Sequence, residues 1–382
     1  MTNADPILDQ LQRLIDLATG RNAGPAPCLH RIPVDLYSSQ EHFDREWETI
    51  FSRRPLVLCH SSELADPGCT LVHDEFGLPL LTVRDDQGVV RTFMNVCRHR
   101  NMRLVDATGF HKLRSLVCPY HQWVYGTDGK LRNIPRETDF CDIDKADLGL
   151  VELPTEERDG LVWFKLAPRG QIDLDEYLSQ IGKDLVTFGL ADAVVYASNT
   201  RELQCNWKLI HDAFLDGYHV IRLHKNTVGA FFPDCISLSE QCGIHIRSSV
   251  ARNEIFEAEQ QSRSEWNPRL LCTFSYTLFP NAIVIMHPDY TSLLKIVPIS
   301  ADKTLFSHSM LLSEMPSTDK ARAHFDKSFE LIDQGVFQAE DIFVCEGAQK
   351  GIRSGANQDL LLGANEIAVK QFHDLVEREV NH

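Results

Sequence analysis

Long apolar runs are missing from this 382-residue sequence, and none reaches the roughly eighteen residues that a membrane-spanning helix requires. A secretory leader is not expected either. The N-terminal stretch MTNADPILDQLQRLID carries acids where a leader needs bases and has no apolar centre, so a cytoplasmic location is expected. Positive charge is scarce: 38 Lys and Arg stand against 54 Asp and Glu, a formal net charge of −16 with no basic stripe to offset it. Such a surface repels a polyanion, which argues against a nucleic-acid partner. Neither a G-x-G-x-x-G fingerprint nor a C-x4-C-x2-C spacing occurs, so no dinucleotide module and no plant-type ferredoxin cluster are expected in this chain. The 11 cysteines are an odd number with no leader, which speaks against a disulfide framework; Cys205, Cys242 and Cys272 read as buried thiols.

What is present is organised in two styles. Ile7, Leu8, Leu11, Leu14 and Ile15 recur at helical spacing over residues 6–18, and a second helix is expected from about Ser39, with Ser38 and Ser39 as cap candidates. From Pro55 to about Leu166, short β-rich runs such as PLVLCH, LPLLTVRD and GLVWFKLA are separated by turn signals such as DDQG and TDGK, the pattern of a small all-β domain. Beyond Leu203 a helical stretch, NWKLIHDAFLDGYHVIRLH, alternates with strand-like runs. Helices near 319–333, 336–349 and 364–379 close the chain. The economical reading is α+β, with helices packed on an antiparallel sheet. Three segments are expected: 1–40, a helical piece packing on the third; 41–166, the β domain; and 167–382.

The β domain carries two loops that each pair one cysteine with one histidine, Cys97-x-His99 and Cys118-x-x-His121. Two thiolates and two imidazoles suit either a structural zinc or a two-iron cluster. Zinc fingers group like ligands together. Here each loop supplies one of each, so one iron can take the thiolates and the other the imidazoles. Neutral imidazoles in place of anionic thiolates raise the cluster potential to roughly −150 to +300 mV, against about −400 mV for all-cysteine clusters.

Cys97-Arg98-His99-Arg100, Cys118-Pro119-Tyr120-His121-Gln122-Trp123, Tyr125 and Asp128-Gly129 together resemble the Rieske signature of ring-hydroxylating oxygenase large subunits. One departure is Gln122, where that family usually has glycine. The resemblance implies a Rieske [2Fe–2S] domain held by Cys97, His99, Cys118 and His121, followed by a helix-grip catalytic domain.

A second constellation lies downstream. Asp212, Asp216 and His219 share one side if the helix runs on unbroken, and His224 joins His219 at one ion only if the helix ends or bulges between Val220 and Leu223. Two imidazoles and one carboxylate with open positions form the facial triad of oxygen-activating iron sites. In VFQAEDIFVCEGAQKG, Asp341 shares a helical face with Phe337, Cys345 and Ala348, where a carboxylate is costly unless something satisfies it. Glu340 competes with it, and the pattern does not separate the two. Other single histidines, among them His211, His245 and His308, read as satisfied structural residues.

Asn206-Trp207-Lys208 followed by Asp216-x-x-His219-x4-His224 resembles the catalytic motif of the same family. That resemblance implies His219, His224 and Asp341 as ligands of one mononuclear Fe(II), and Asp216 as the catalytic bridge. It implies a head-to-tail homotrimer, with or without a small β subunit, in which His121 of one subunit bonds Asp216 of the next. Where the family often has Glu-Asn, this chain has Asp212-Ala213. The implied activity is terminal oxygenation of a small molecule with O2, electrons passing from NAD(P)H through a separate reductase or ferredoxin. An aromatic substrate, mono- or dihydroxylated, is the favoured expectation, with Phe214, Leu215, Phe231, Phe232, Phe274, Tyr276, Ile285 and Phe337 as pocket candidates. O- or N-demethylation, including of quaternary amines held in a cage of Phe274, Tyr276 and Tyr290, is the alternative. A Rieske electron carrier without oxygenase activity is the rival from another class.

Overall fold

A computed structural model describes residues 5–168 and 170–381. It separates into two compact units, Phe51–Leu174 and a second formed by the segments before and after it. Residues 1–4, Arg169 and His382 of the expected segments lie outside the described residues. The cuts at Ile50 and Leu174 fall later than the expected 40 and 166, and for the first the reason is visible in the side chains. Helix α1 (Pro6–Ala18) is followed by α2 (Gln40–Glu46), capped by Ser39, whose hydroxyl accepts from His42 N–H. The last residue of α2, Glu46, is buried and accepts from Trp207 Nε1 at 2.8 Å and Lys208 Nζ at 2.5 Å. Residues 41–50 are thereby tied to the second unit. Removing one partner alone would leave an uncompensated buried charge, at a cost of about 3–5 kcal/mol.

The unit Phe51–Leu174 is built from antiparallel strands in three small sheets. The central one has five strands in the order Glu152–Leu153, Val90–Met94, Leu80–Arg84, Cys69–His73, Gly109–Lys112. A three-stranded sheet of Leu116–Val117, Val124–Tyr125 and Leu131–Asn133 carries the second Cys-His loop between its first two strands. Its other turn needs Gly129, at φ +76°, where a Cβ would stand 2.4 Å from the Phe93 ring. Cys97 and Cys118 belong to the apolar core of this unit, alongside Val72, Leu81, Phe93, Trp123 and Tyr125.

The second unit centres on a seven-stranded antiparallel sheet: β1 (Val194–Leu203), β2 (Ser237–Cys242), β3 (His245–Ala251), β4 (Cys272–Leu278), β5 (Ala282–Met286), β6 (Thr291–Ser300) and β7 (Lys303–Leu312), in the order β1-β7-β6-β5-β4-β3-β2. Between β1 and β2 the chain forms α3 (Trp207–Leu215) and a single turn, Val220–Leu223. After β7 come α4 (Asp319–Glu330), α5 (Phe343–Arg353) and α6 (Ile367–Val380). Leu331–Ile342, between α4 and α5, is wound with i→i+5 hydrogen bonds, so the two expected helices form one continuous rod. Helix α6 buries Val369, Phe372, Leu375, Val376 and Val380, one face at helical spacing, against α3 and the sheet. Mixed α and β elements thus form a small β unit and a sheet gripped by helices. No helix among the described residues is long and apolar enough to cross a membrane.

Candidate metal centres and substrate pocket

The two Cys-His loops of the β unit have the same backbone. Cys97 N–H donates to Met102 O at 2.8 Å and Asn101 N–H to Cys97 O at 3.1 Å; Cys118 N–H donates to Trp123 O at 2.9 Å and Gln122 N–H to Cys118 O at 3.0 Å. Each loop closes through a residue in the left-handed region, Asn101 at φ +57° and Gln122 at φ +59°. That explains why the family favours glycine at the second position: an L-residue there costs about 1–2 kcal/mol. The rings of His99 and His121 meet at 4.6 Å between centroids, and His99 stacks on Trp123 at 4.8 Å. His99 Nδ1 and His121 Nδ1 are buried without a hydrogen-bond partner. Two orphaned ring nitrogens beside two core thiols are the donor set of a metal cluster, and a Rieske centre fits it. Tyr125 Oη lies 3.3 Å from Cys97 Sγ and accepts from Arg98 N–H at 3.0 Å, which directs its proton to the sulfur. Burial, with His121 and Arg100 nearby, lowers the His99 pKa and keeps that ring neutral, as a ligand must be.

In the second unit the expected single helix stops at Leu215. Asp216 is extended at φ −87°, ψ 116°, so Asp212 does not share a side with Asp216 and His219. It turns inward instead, bonded to Tyr37 Oη at 2.6 Å and His373 Nε2 at 2.9 Å. The break therefore falls before His219, not between Val220 and Leu223. His219 and His224 flank the single turn 220–223, one at each end. Gly229 is required here, because a Cβ would stand 2.8 Å from the His224 carbonyl oxygen.

His219 Nδ1 faces Asp216 Oδ2 at 3.2 Å, and His224 Nδ1 faces Glu340 Oε2 at 2.8 Å. Carboxylates only accept, so both rings carry their proton on Nδ1 and present bare Nε2 lone pairs. Those two Nε2 atoms stand 3.2 Å apart, and Asp341 Oδ1 lies 3.6 Å from the first and 3.3 Å from the second. Three lone pairs converge with no proton among them. Asp341 Oδ1 is buried and has no hydrogen-bond donor. Adjacent ligands at right angles on an ion with bonds of about 2.1 Å stand about 3 Å apart, so the triplet fits a facial triad. His219, His224 and Asp341 are the one group of this kind among the described residues. Burial works against charging His224, but with no ion bound Asp341 and Glu340 outweigh it and raise its pKa, so a metal at the triad competes with a proton for this ring.

The same geometry separates Glu340 from Asp341. Glu340 points to the outer nitrogen of His224 and also accepts from Thr227 Oγ1 at 2.7 Å. The i→i+5 winding allows both acids to serve, since it aligns Val336 and Asp341 while Glu340 turns toward His224. Asp216 keeps its remaining lone pairs near the surface, its Oδ1 accepting from Tyr218 N–H at 2.6 Å. Neither the role of Glu340 nor that of Thr227 was legible from spacing.

Residues 190–381 match the ring hydroxylating alpha subunit (catalytic domain) family, and residues 54–151 match the Rieske [2Fe–2S] domain family. The chain belongs to the ring-hydroxylating alpha-subunit family. It is a Rieske-type oxygenase subunit, an oxidoreductase with a [2Fe–2S] domain and a catalytic domain for mononuclear iron. Among curated proteins it is 26% identical over 362 residues to the carnitine monooxygenase oxygenase subunit of Escherichia coli (strain K12), covering 90% of this chain and 92% of that one. It is 27% identical over 333 residues to the chloroplastic choline monooxygenase of Beta vulgaris, covering 85% and 71%. The solved quaternary ammonium Rieske monooxygenase CntA in complex with L-carnitine shares the fold, with a TM-score of 0.78, 21% identity and coverage of 96% and 98%.

In this oxygenase subunit the triad opens into a cavity of about 760 Å³, counting its mouth. Phe214, Leu215, Phe232, Ile285 and Phe337 line it as expected. Phe274 and Tyr276 do not. On β4 the side chains alternate, and Thr273 and Ser275 face the cavity while Phe274 and Tyr276 stack on each other behind the sheet, 6.4 Å between centroids. Phe231 and Tyr290 line an adjoining chamber. The expected cage of Phe274, Tyr276 and Tyr290 is therefore absent from the cavity at the triad. Its aromatic faces are Phe214, Phe232 and Phe337, and its charged walls are Asp216 and Asp341, with neither Lys nor Arg among them.

Proposed function

We propose that this chain is the terminal oxygenase of a Rieske monooxygenase that acts on a quaternary amine. The observation that carries this reading is the reach of the relatives. Proteins named for carnitine and choline oxidation align over 90% and 85% of the chain. The cavity supports it: an ammonium bearing methyl groups is complemented by aromatic faces and carboxylates, and a cation among its walls would oppose it. The expectation of an aromatic hydrocarbon substrate is weaker, because the relative named for biphenyl aligns over 60% of the chain, a shorter reach than that of the relatives named for carnitine and choline.

In this reading Cys97, His99, Cys118 and His121 hold the cluster, and His219, His224 and Asp341 hold the iron. The cluster and the iron supply electron storage and oxygen activation. The protein's part is to hold both rings in one tautomer through Asp216 and Glu340, to seat the substrate against Phe214, Phe232 and Phe337, and to keep water out. One atom of O2 enters a C–H bond beside the ammonium nitrogen and the other leaves as water, with two electrons and two protons consumed. The resulting carbinol loses its C–N bond, giving a tertiary amine, an aldehyde and a proton. A separate reductase or ferredoxin supplies the electrons. A homotrimer in which Asp216 bridges His219 to His121 of a neighbour completes the proposal. The test is turnover with a matched reductase on carnitine, γ-butyrobetaine and choline beside naphthalene and biphenyl, following aldehyde release and peroxide. Amine-dependent aldehyde release is expected. Ring diols from the hydrocarbons, with no amine turnover, would overturn it.

A further inference from the structure

The wall of the cavity opposite the helices is built from hydroxyls in register. Ser239, Ser248, Ser275 and Ile285 form one row across β2, β3, β4 and β5, and Ser237, Val250 and Thr273 form the next. Ser239 and Ser248 satisfy each other at 2.9 Å. Thr273 Oγ1 and Ser275 Oγ are buried with no partner among the described residues. Both oxygens are sealed from the cavity as well, so the carbon faces of these two side chains form its wall.

The next pleat along β3 is Arg252. Its backbone is still extended, at φ −94°, ψ 165°, and its N–H still donates across to Leu271 O at 2.9 Å. The alternation therefore carries its side chain to the face of Ser248 and Val250. Arg252 lines the adjoining chamber, of about 700 Å³, which shares Val228, Phe232, Thr273, Val336 and Phe337 with the cavity at the triad. The guanidinium lies over the rings of Phe231 and Phe232, each 5.4 Å from the centroid. Its nearest carboxylate, Glu254, stands at 3.7 Å and is half exposed, whereas the Arg252 side chain is 14% exposed. Of the residues lining the chamber, no other is Lys or Arg, and burial pushes His287 down to about 3, so that ring is neutral. At the other end, Asp216, Glu340 and Asp341 bring three negative charges against the two positive charges of ferrous iron. The two adjoining chambers thus carry opposite charge, carboxylates beside the triad and a guanidinium in the second.

We propose that Arg252 anchors a carboxylate at the end of the substrate remote from the triad. The favoured substrates are then betaines, with ammonium and carboxylate on one molecule, rather than ammonium alcohols. This rests on the quaternary-amine reading above. The probes are γ-butyrobetaine and carnitine against choline, measured on holoenzyme as kcat/KM and as binding by calorimetry without O2. Wild type is expected to favour the carboxylates at least tenfold. Arg252→Gln should lower that ratio at least tenfold, mainly through KM, and Arg252→Lys should restore part of it. An unchanged ratio in Arg252→Gln, or a wild-type preference for choline, overturns the anchor. Should wild type bind no quaternary amine, the function proposed above fails, and the anchor is judged on benzoate against benzyl alcohol. Selective loss of benzoate binding in Arg252→Gln supports it, and equal loss or no benzoate binding overturns it.

Discussion

Glu340→Ala separates the two adjacent acids by experiment. Glu340 takes two hydrogen bonds, from His224 Nδ1 at 2.8 Å and Thr227 Oγ1 at 2.7 Å. Its removal leaves a donor on a ring whose side chain is only 6% exposed, a penalty of about 1–3 kcal/mol for an unsatisfied buried group. Without that acceptor the ring is also free to move its proton to Nε2, which occupies the lone pair meant for the metal. Outer partners of this kind change metal affinity by about 10–100-fold, or about 1.4–2.7 kcal/mol. Glu340→Gln should fall at the low end, since its amide oxygen can still accept one of the two bonds. Asp341→Ala removes a converging donor outright and should abolish binding. The assay is Fe(II) titration of chelator-stripped protein against a competing chelator. Glu340→Ala should still fill its site at saturating Fe(II), with Kd raised 10–100-fold. An unchanged Kd would refute the reasoning, as would iron retained by Asp341→Ala and lost from Glu340→Ala.

Three further perturbations follow from the same geometry. Gln122→Gly relieves a left-handed residue and, after the extra freedom of the unfolded chain is counted, should stabilise the β unit by about 0.5–1 kcal/mol in chemical unfolding, whereas the β-branched Gln122→Val should destabilise it. Asp216→Asn replaces an acceptor facing His219 Nδ1 with an amide; stopped-flow oxidation of the reduced cluster by substrate and O2 should slow about 100-fold with both metals retained, and an unchanged rate would contradict the bridge. Burial lowers the pKa of His211 to about 3 and of His245 to about 4. Both are below the unfolded value near 6.5, so the unfolded state binds more protons as pH falls from 6.5 toward 4. Each ring should then cost up to about 1.4 kcal/mol of stability per pH unit, and urea midpoints flat across that window would contradict it.

Sequence reading went furthest where chemistry is local. The helix over 6–18, the cap at Ser39 and the pairing of one cysteine with one histidine in each loop need only neighbours in the chain. It failed where tertiary structure chooses between equivalent readings. On β4 the alternation of Thr273 and Ser275 with Phe274 and Tyr276 is plain, but the aromatic face is the buried one and the small polar face lines the cavity, so assigning the aromatic face to the substrate chose the wrong side. The break at Asp216 gives little local signal beyond Gly217. The i→i+5 winding of 331–342 is set by packing, and without it the division of labour between Glu340 and Asp341 has no expression in spacing. Glu46 was invisible as a tie because its partners, Trp207 and Lys208, lie far along the chain.

The central claim is that one chain holds a two-iron cluster in its β unit and a lone iron between His219, His224 and Asp341. Iron counting with Mössbauer spectroscopy on reconstituted protein tests it most directly. About three irons per chain are expected, one of them a high-spin ferrous ion that disappears in Asp341→Ala while the cluster signal stays. Two irons in the wild type, or a third that survives loss of Asp341, would contradict it.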